Sequence, residues 1–176
     1  MEDLFEQLDG REVLLVTRSA AAAEALNVRW LALTLTRLGN GWLYPLLVLG
    51  LIASGRIDLP ARFILTVAVN LLIAFTLYPL LKHGLARTRP CDYEPRLARD
   101  AGPIDRYSCP SGHTMTVVAF SITVVFAWPG GAVLGIPLCL AMGWSRVALG
   151  HHYPSDVFLG GALGAAVATP VSAFFY

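Results

Sequence analysis

Charge is what this sequence has least of: 14% of its residues are Asp, Glu, Lys or Arg, against 56% that are hydrophobic, and the mean hydropathy is +0.60. Four stretches, 38–55, 63–81, 107–145 and 157–176, contain none of those four residue types. A water-soluble domain needs a charged rind around its core, so this shortage excludes an ordinary soluble globule and makes lipid the solvent. The net charge of +1 leaves no basic excess to neutralise phosphate backbones, which excludes a nucleic-acid partner. No basic segment followed by an apolar run opens the chain, so a cleaved signal peptide is not expected. There is no internal repeat, and no low-complexity tract beyond the alanine-rich residues 20–25. Length alone makes the 176 residues one domain.

A helix of about 20 mainly apolar residues crosses a hydrocarbon core of roughly 30 Å. Stretches 63–81 and 157–176 each fit one crossing. Stretch 107–145 is too long for one, and Trp128-Pro129-Gly130-Gly131 is a turn signal inside it, so it predicts two helices, near 113–128 and 131–148. Stretch 38–55 contains Pro45 and predicts the first span. Residues 1–37 are interrupted throughout by charge and read as one or two amphipathic helices on the membrane surface, with a crossing through 19–36 as the alternative. The expected fold is therefore all-α: an integral membrane bundle of about five transmembrane helices, 38–176, behind an interfacial N-terminal segment, 1–37.

Five crossings place loops 82–112 and 146–155 on one face of the membrane, provided the chain reverses at Pro129. Two polar islands then become neighbours. The first holds KHGLARTRP (82–90) and CPSGH (109–113); the second is SRVALGHHYPSD (145–156). Charged groups at membrane depth are costly and are kept where they are used. Arg89 and Arg146 offer paired planar donors and Lys82 a compact charge, a set suited to a tetrahedral oxyanion such as phosphate. Ser111 is placed to cap the next helix, Gly112 admits close backbone approach, and the helix N-terminus presents unpaired amides. Of the four histidines, His152 has a carboxylate four residues on, Asp156, to hold one ring nitrogen, with Pro154 between them fitting a helix's first turn. His113 is then free to move a proton on the other side of the anion. The three cations already stabilise charge that develops in phosphoryl transfer, so neither metal nor cofactor is expected.

Lys82-x6-Arg89-Pro90, Pro110-Ser111-Gly112-His113 and Ser145-Arg146-x5-His152-x3-Asp156 together resemble, in order and without departure, the three-part signature of the type 2 phosphatidic acid phosphatase superfamily. That group includes membrane lipid phosphatases, bacterial acid phosphatases and vanadate-dependent haloperoxidases. The resemblance covers residues 82–156. It implies a phosphohistidine mechanism with His152 as nucleophile, Asp156 orienting it, His113 as acid and base, and Lys82, Arg89, Ser111, Gly112 and Arg146 binding phosphate. It implies a lipid phosphate or pyrophosphate as substrate. Undecaprenyl pyrophosphate is favoured, with phosphatidylglycerophosphate and phosphatidic acid next. A vanadate-dependent peroxidase and a noncatalytic lipid transporter or scaffold are the readings from other classes.

Other residues receive plainer readings. His83 is expected to be interfacial, Arg87 a solvated loop arginine, with contact to a second phosphate or a headgroup as the alternative, and His151 a neighbour of the site at its rim. Gly160, Gly161 and Gly164 form a small-residue strip for helix packing. Trp42, Tyr78, Trp128 and Trp144 are expected as interfacial anchors. Cys139 is mid-helix filler, whereas Cys91 and Cys109 flank the loop between the first two motifs; a disulfide there would need an oxidising compartment, and free thiols are the alternative. If the N-terminal segment stays on the active face, every basic residue but Arg56 and Arg62 lies there, which the positive-inside rule would make cytoplasmic. Phosphate accounts for part of that excess, and the relatives implied by the resemblance mostly work outside. The expectation is therefore a multi-pass cytoplasmic-membrane protein with an extracytoplasmic site.

Overall fold

The structure, a computed structural model, describes residues 2–97 and 105–176, with side chains from Asp9 onward. Residues 98–104 of the expected loop 82–112 lie outside the described residues. Among the described residues there are eight α-helices and no strand: α1 (Glu2–Ala25), α2 (Arg29–Gly39), α3 (Leu43–Ala53), α4 (Pro60–Leu85), α5 (Pro90–Tyr93), α6 (Gly112–Ala127), α7 (Ala132–Ala148) and α8 (Pro154–Phe175).

Three segments, Pro60–Tyr93 (containing α4 and α5), Pro129–Ala148 (containing α7) and Pro154–Phe175 (α8), are long and apolar enough to cross a membrane. Helix α6 is apolar but has 16 residues, about 24 Å at 1.5 Å per residue. The expected first span differs. Helix α3 has 11 residues, about half a bilayer core, and qualifies only as a pair with α2, bent by 82° between them. The bend follows from Gly39-Asn40-Gly41, where Gly41 adopts φ +131°, and Pro45 is tolerated because it falls in the first turn of α3. The reversal at Pro129 is present as a short 3-10 turn, Pro129–Gly131, between α6 and α7.

Helix α6 is the hub, packed against α4, α7 and α8. Two of the three glycines expected to mediate packing do so by letting α8 touch the α6 backbone: a Cβ on Gly160 would stand 2.4 Å from the Ser111 carbonyl oxygen, and one on Gly164 2.4 Å from that of Met115. Gly161 lies outside this contact, with its nearest neighbours at 3.8 Å. Toward the end of the bundle away from the two polar islands, the Asn70 amide donates to Thr123 Oγ1 at 2.9 Å and Ser172 Oγ at 3.2 Å, tying α4, α6 and α8 through buried polar groups. Tyr44 on α3 donates to Thr116 on α6 at 2.6 Å. Leu72, Val133, Phe158 and Phe174 are exposed, as lipid-facing side chains should be.

Candidate active site

The α6 N-terminus is built as its sequence predicts. Ser111 is the N-cap and its Oγ accepts from the Thr114 N–H at 3.4 Å. The Tyr78 ring covers Gly112, where a Cβ would meet it at 3.0 Å, a tight contact that would push the ring aside by a few tenths of an ångström. Tyr78 thus lines the site rather than serving as an interfacial anchor, and the Lys82 ammonium lies 5.6 Å from the Tyr78 ring centroid. Trp42 is exposed, whereas Trp128 is packed beside the core of α3, α4 and α6 with the Arg56 guanidinium at 5.0 Å, and Trp144 is packed against the cluster joining α1, α2 and α7.

The two polar islands do converge. Lys82 from α4, Arg89 from the link to α5, Gly112 and His113 from α6, Arg146 from the end of α7 and His152 from the α7–α8 loop line one cavity of about 90 Å³. Lys82, Arg89, Arg146 and His152 are buried, and His113 is half-buried. Buried Nε of Arg146 has no hydrogen-bond partner, as expected of a guanidinium kept for an anion. Ser111 and Asp156 stand behind the cavity wall, joined by the Ser111 N–H donating to the Asp156 carbonyl at 3.0 Å.

His152 Nδ1 is 3.7 Å from Asp156 Oδ2, an ion-pair separation somewhat longer than a hydrogen bond. Its Nε2 faces the Arg89 guanidinium at 3.4 Å. Complete burial, then the charges of Arg89, Arg146 and Lys82, hold its pKa well below 6.5, so the ring is neutral near pH 7. His113 Nε2 lies 2.8 Å from the side-chain oxygen of Asn40, and the histidine is also hydrogen-bonded to the backbone of Thr36. Thr36 Oγ1 accepts from Arg146 at 3.0 Å. The bend after α2 therefore braces both a histidine and an arginine of the cavity, and neither Thr36 nor Asn40 belongs to any motif.

Asp105 is a further residue that the motifs leave out. Its two carboxylate oxygens each accept from Lys82 Nζ at 2.8 Å, and it forms a short ion pair with Arg89, whose Nε also donates to the Asp105 carbonyl at 3.0 Å. Burial opposes ionisation, but Lys82 and Arg89 outweigh it and hold this carboxyl below its ordinary value.

Two expectations are corrected, and of the two readings of Cys91 and Cys109 the free thiols are the one found. Arg87 is buried, not solvated, and forms ion pairs with Asp9, Glu12 and Asp156. His151 is buried rather than at the rim; its backbone N–H donates to the Arg146 carbonyl at 3.1 Å and its carbonyl accepts from Arg89. Cys91 and Cys109 are buried free thiols: Cys91 packs with Val16, Ala20, Leu97 and Tyr153, while Cys109 is hydrogen-bonded to Asp156. Burial and then the Asp156 charge push the Cys109 thiol up to about 12, so it serves as a protonated partner of that carboxylate. His83 is exposed, as expected, and packs edge-on against Tyr107 at 5.7 Å.

An all-helical membrane bundle with a cationic, histidine-bearing cup defines a class, and comparison with known proteins agrees. The fold matches the crystal structure of a transmembrane PAP2 type phosphatidylglycerolphosphate phosphatase from Bacillus subtilis with a TM-score of 0.69 at 19% identity, over 96% of this chain and 86% of that one. Residues 62–176 match the PAP2 superfamily, and the chain belongs to it. It is a multi-pass membrane protein. An undecaprenyl-diphosphatase of Sulfolobus acidocaldarius is 33% identical over 57% of this chain, which spans about half (49%) of that relative's length. A decaprenylphosphoryl-5-phosphoribose phosphatase of Mycolicibacterium smegmatis is 31% identical over 86% of this chain and 81% of its own.

Proposed function

We propose that this protein is a membrane lipid phosphatase that releases the terminal phosphate of a polyprenyl-linked substrate, undecaprenyl pyrophosphate in first place, through a phosphohistidine intermediate. The observation that carries the reading is the meeting of Lys82, Arg89, Arg146, His113 and His152 in one small cavity. Neutral His152 attacks phosphorus through Nε2 while Asp156 takes the developing charge on Nδ1–H. The P–N bond forms as the P–O bond to the leaving group breaks, and His113 protonates that oxygen. His113 then removes a proton from water, whose oxygen breaks the P–N bond and liberates inorganic phosphate. Lys82, Arg89 and Arg146 bind the transferring oxygens, with the α6 N-terminus at Ser111 and Gly112 behind them.

A cavity of about 90 Å³ admits a phosphate and leaves the lipid tail outside, which suits a terminal group. The name of the mycobacterial relative, which aligns over most of this chain, favours a second reading: a phosphate on a sugar carried by a polyprenyl phosphate. Phosphatidylglycerophosphate and phosphatidic acid remain further alternatives. Phosphate release by the detergent-purified protein, with EDTA present, from undecaprenyl pyrophosphate, decaprenylphosphoryl-5-phosphoribose, phosphatidylglycerophosphate, phosphatidic acid and lipid A decides among them. His152→Ala should abolish release while the protein stays monodisperse, because His152 lies in the α7–α8 loop against the cavity and outside the helix-packing core; substantial residual turnover would refute the nucleophile.

We place the site on the extracytoplasmic face. Lys82, Arg87, Arg89 and Arg146 are buried, with functional or structural partners, so they should weigh little as topological charges. Asp58, on the exposed opposite side, replaced by cysteine should then resist a membrane-impermeant maleimide in intact cells; labelling would invert the assignment.

A further inference from the structure

We infer that Arg87, held by Asp9 and Glu12 of α1, positions the Asp156–His152 pair, so that the N-terminal helix is a working part of the catalytic apparatus. The inference rests on the phosphohistidine reading above.

Arg87 does not line the cavity. Its N–H donors instead reach, among the described residues, Asp9, Glu12, Ser155 and Asp156: Nε and Nη2 donate to Asp9 Oδ1 at 2.9 and 2.7 Å, Nη2 to Glu12 Oε2 at 2.8 Å, and Nη1 to Ser155 Oγ at 2.6 Å and Asp156 Oδ1 at 2.7 Å. The guanidinium lies 4.1 Å from the Tyr153 ring centroid, the residue next to His152. Glu12 reaches past Arg87 to the first turn of α8, accepting from the Ser155 N–H at 2.9 Å and its hydroxyl at 2.6 Å. The segment that follows His152 is thus held at Ser155 by Glu12 of α1, and at Tyr153 and Asp156 by the Arg87 that α1 anchors.

The division of labour at Asp156 is specific. Arg87 takes Oδ1, which leaves Oδ2 for the Tyr153 N–H at 2.8 Å and for His152 Nδ1 at 3.7 Å. A guanidinium paired with Asp156 alone would neutralise it and weaken it as an acceptor. Here, among the described residues, at least three carboxyl groups share one guanidinium, so Asp156 is fixed in direction yet remains part of an acid-rich cluster. On the opposite side of the imidazole stand Lys82, Arg89 and Arg146. His152 lies between an anionic buttress at Nδ1 and a cationic cup at Nε2, the polarity that favours attack from Nε2 and stabilises the positive charge left on the ring.

The test is a double-mutant cycle on the full-length protein, assayed with undecaprenyl pyrophosphate or whichever of the lipids above it hydrolyses fastest, with inorganic phosphate as competitive inhibitor. Arg87→Met should lower kcat by at least about tenfold while KM and the phosphate Ki move by less than about threefold, because the cup is untouched. Added to Asp156→Asn, it should cost less than about a further twofold, since it acts through that carboxylate. An undiminished kcat, or a full additive loss in the Asp156→Asn background, overturns the inference. Should Arg87→Met fail to fold, Glu12→Gln carries the same test: a kcat loss of about threefold or more at constant KM and Ki supports the role, and an unchanged kcat refutes it. His152→Ala separates the two levels: turnover in that variant sinks the phosphohistidine reading, whereas a dead His152→Ala beside a fully active Arg87→Met sinks only the buttress.

Discussion

At the scale of single residues, Asp105 and an incoming phosphate compete for the same donors. Both carboxylate oxygens of Asp105 engage Lys82, and one also engages Arg89, so two of the three cavity cations hold an anion contributed by the protein itself. Its side chain is 39% exposed, which limits the pair to about 1 kcal/mol after solvent screening. Asp105→Asn should therefore strengthen inhibition by inorganic phosphate about fivefold, read as a lower Ki in the phosphate-release assay. A weaker inhibition would mean that Asp105 orients the cations instead of competing for them. Nothing in the sequence distinguished this aspartate from others in the same loop. The motif residues were legible because their types and spacing belong to a known chemistry, and the cavity gathers six of them. Arg87 was misread because it stands two residues before Arg89 in a polar segment, and only the arrival of α1 against α8 supplies the carboxylates that bury it. Its one available signal was Asp9 and Glu12, three residues apart and so on one face of a charged helix.

At the scale of helices, apolar periodless runs and turn signals were enough to locate α4, α6, α7 and α8, and the count of reversals brought the two polar islands together. The α2–α3 bend was not legible, since hydropathy reads composition and is blind to the direction in which a chain turns after Gly39-Asn40-Gly41. That bend matters because it delivers Thr36 and Asn40 to Arg146 and His113. The α6–α8 contact sets the opposite wall, and its closeness depends on two glycines. A Cβ at Gly160 would overlap the Ser111 carbonyl, and backbone cannot move aside as a flexible side chain would. Gly160→Ala should displace the α6 N-terminus that Ser111 caps and cost about 2 kcal/mol or more, with activity falling alongside the melting temperature in detergent. Gly161→Ala, with its nearest neighbours at 3.8 Å, should be neutral or slightly stabilising in the same helix. Equal tolerance at both positions would show that α6 and α8 are not in backbone contact.

For the whole molecule, the site is a place where like charges are held together against their repulsion, and pH exposes that cost. His151 and His152 are both buried, and burial, followed by Arg146 and Arg89, brings the His151 pKa down to about 3 and that of His152 well below 6.5. In the unfolded chain both return to about 6.5. At these two imidazoles the unfolded state binds more protons between those limits, so their contribution to stability is complete above pH 6.5 and declines as the pH falls. The depressed carboxyl of Asp105 contributes in the same sense below its unfolded value of 3.8, at the acid end of the histidine window, while the Asp9 carboxyl, raised by burial, opposes the histidines above 3.8. Because its folded pKa is about 3, His151 alone loses about 1.4 kcal/mol per pH unit below 6.5, roughly 2 kcal/mol by pH 5, and His152 adds a loss in the same direction. Thermal unfolding in detergent, followed by tryptophan fluorescence from pH 7.5 to 5, should show a falling melting temperature that begins near pH 6.5. His151→Gln should make that decline shallower, because one of the two proton-binding sites is gone from the unfolded state. A melting temperature that holds steady to pH 5 would mean that water reaches these imidazoles, and that the nucleophile is not kept neutral by the surroundings in which the fold places it.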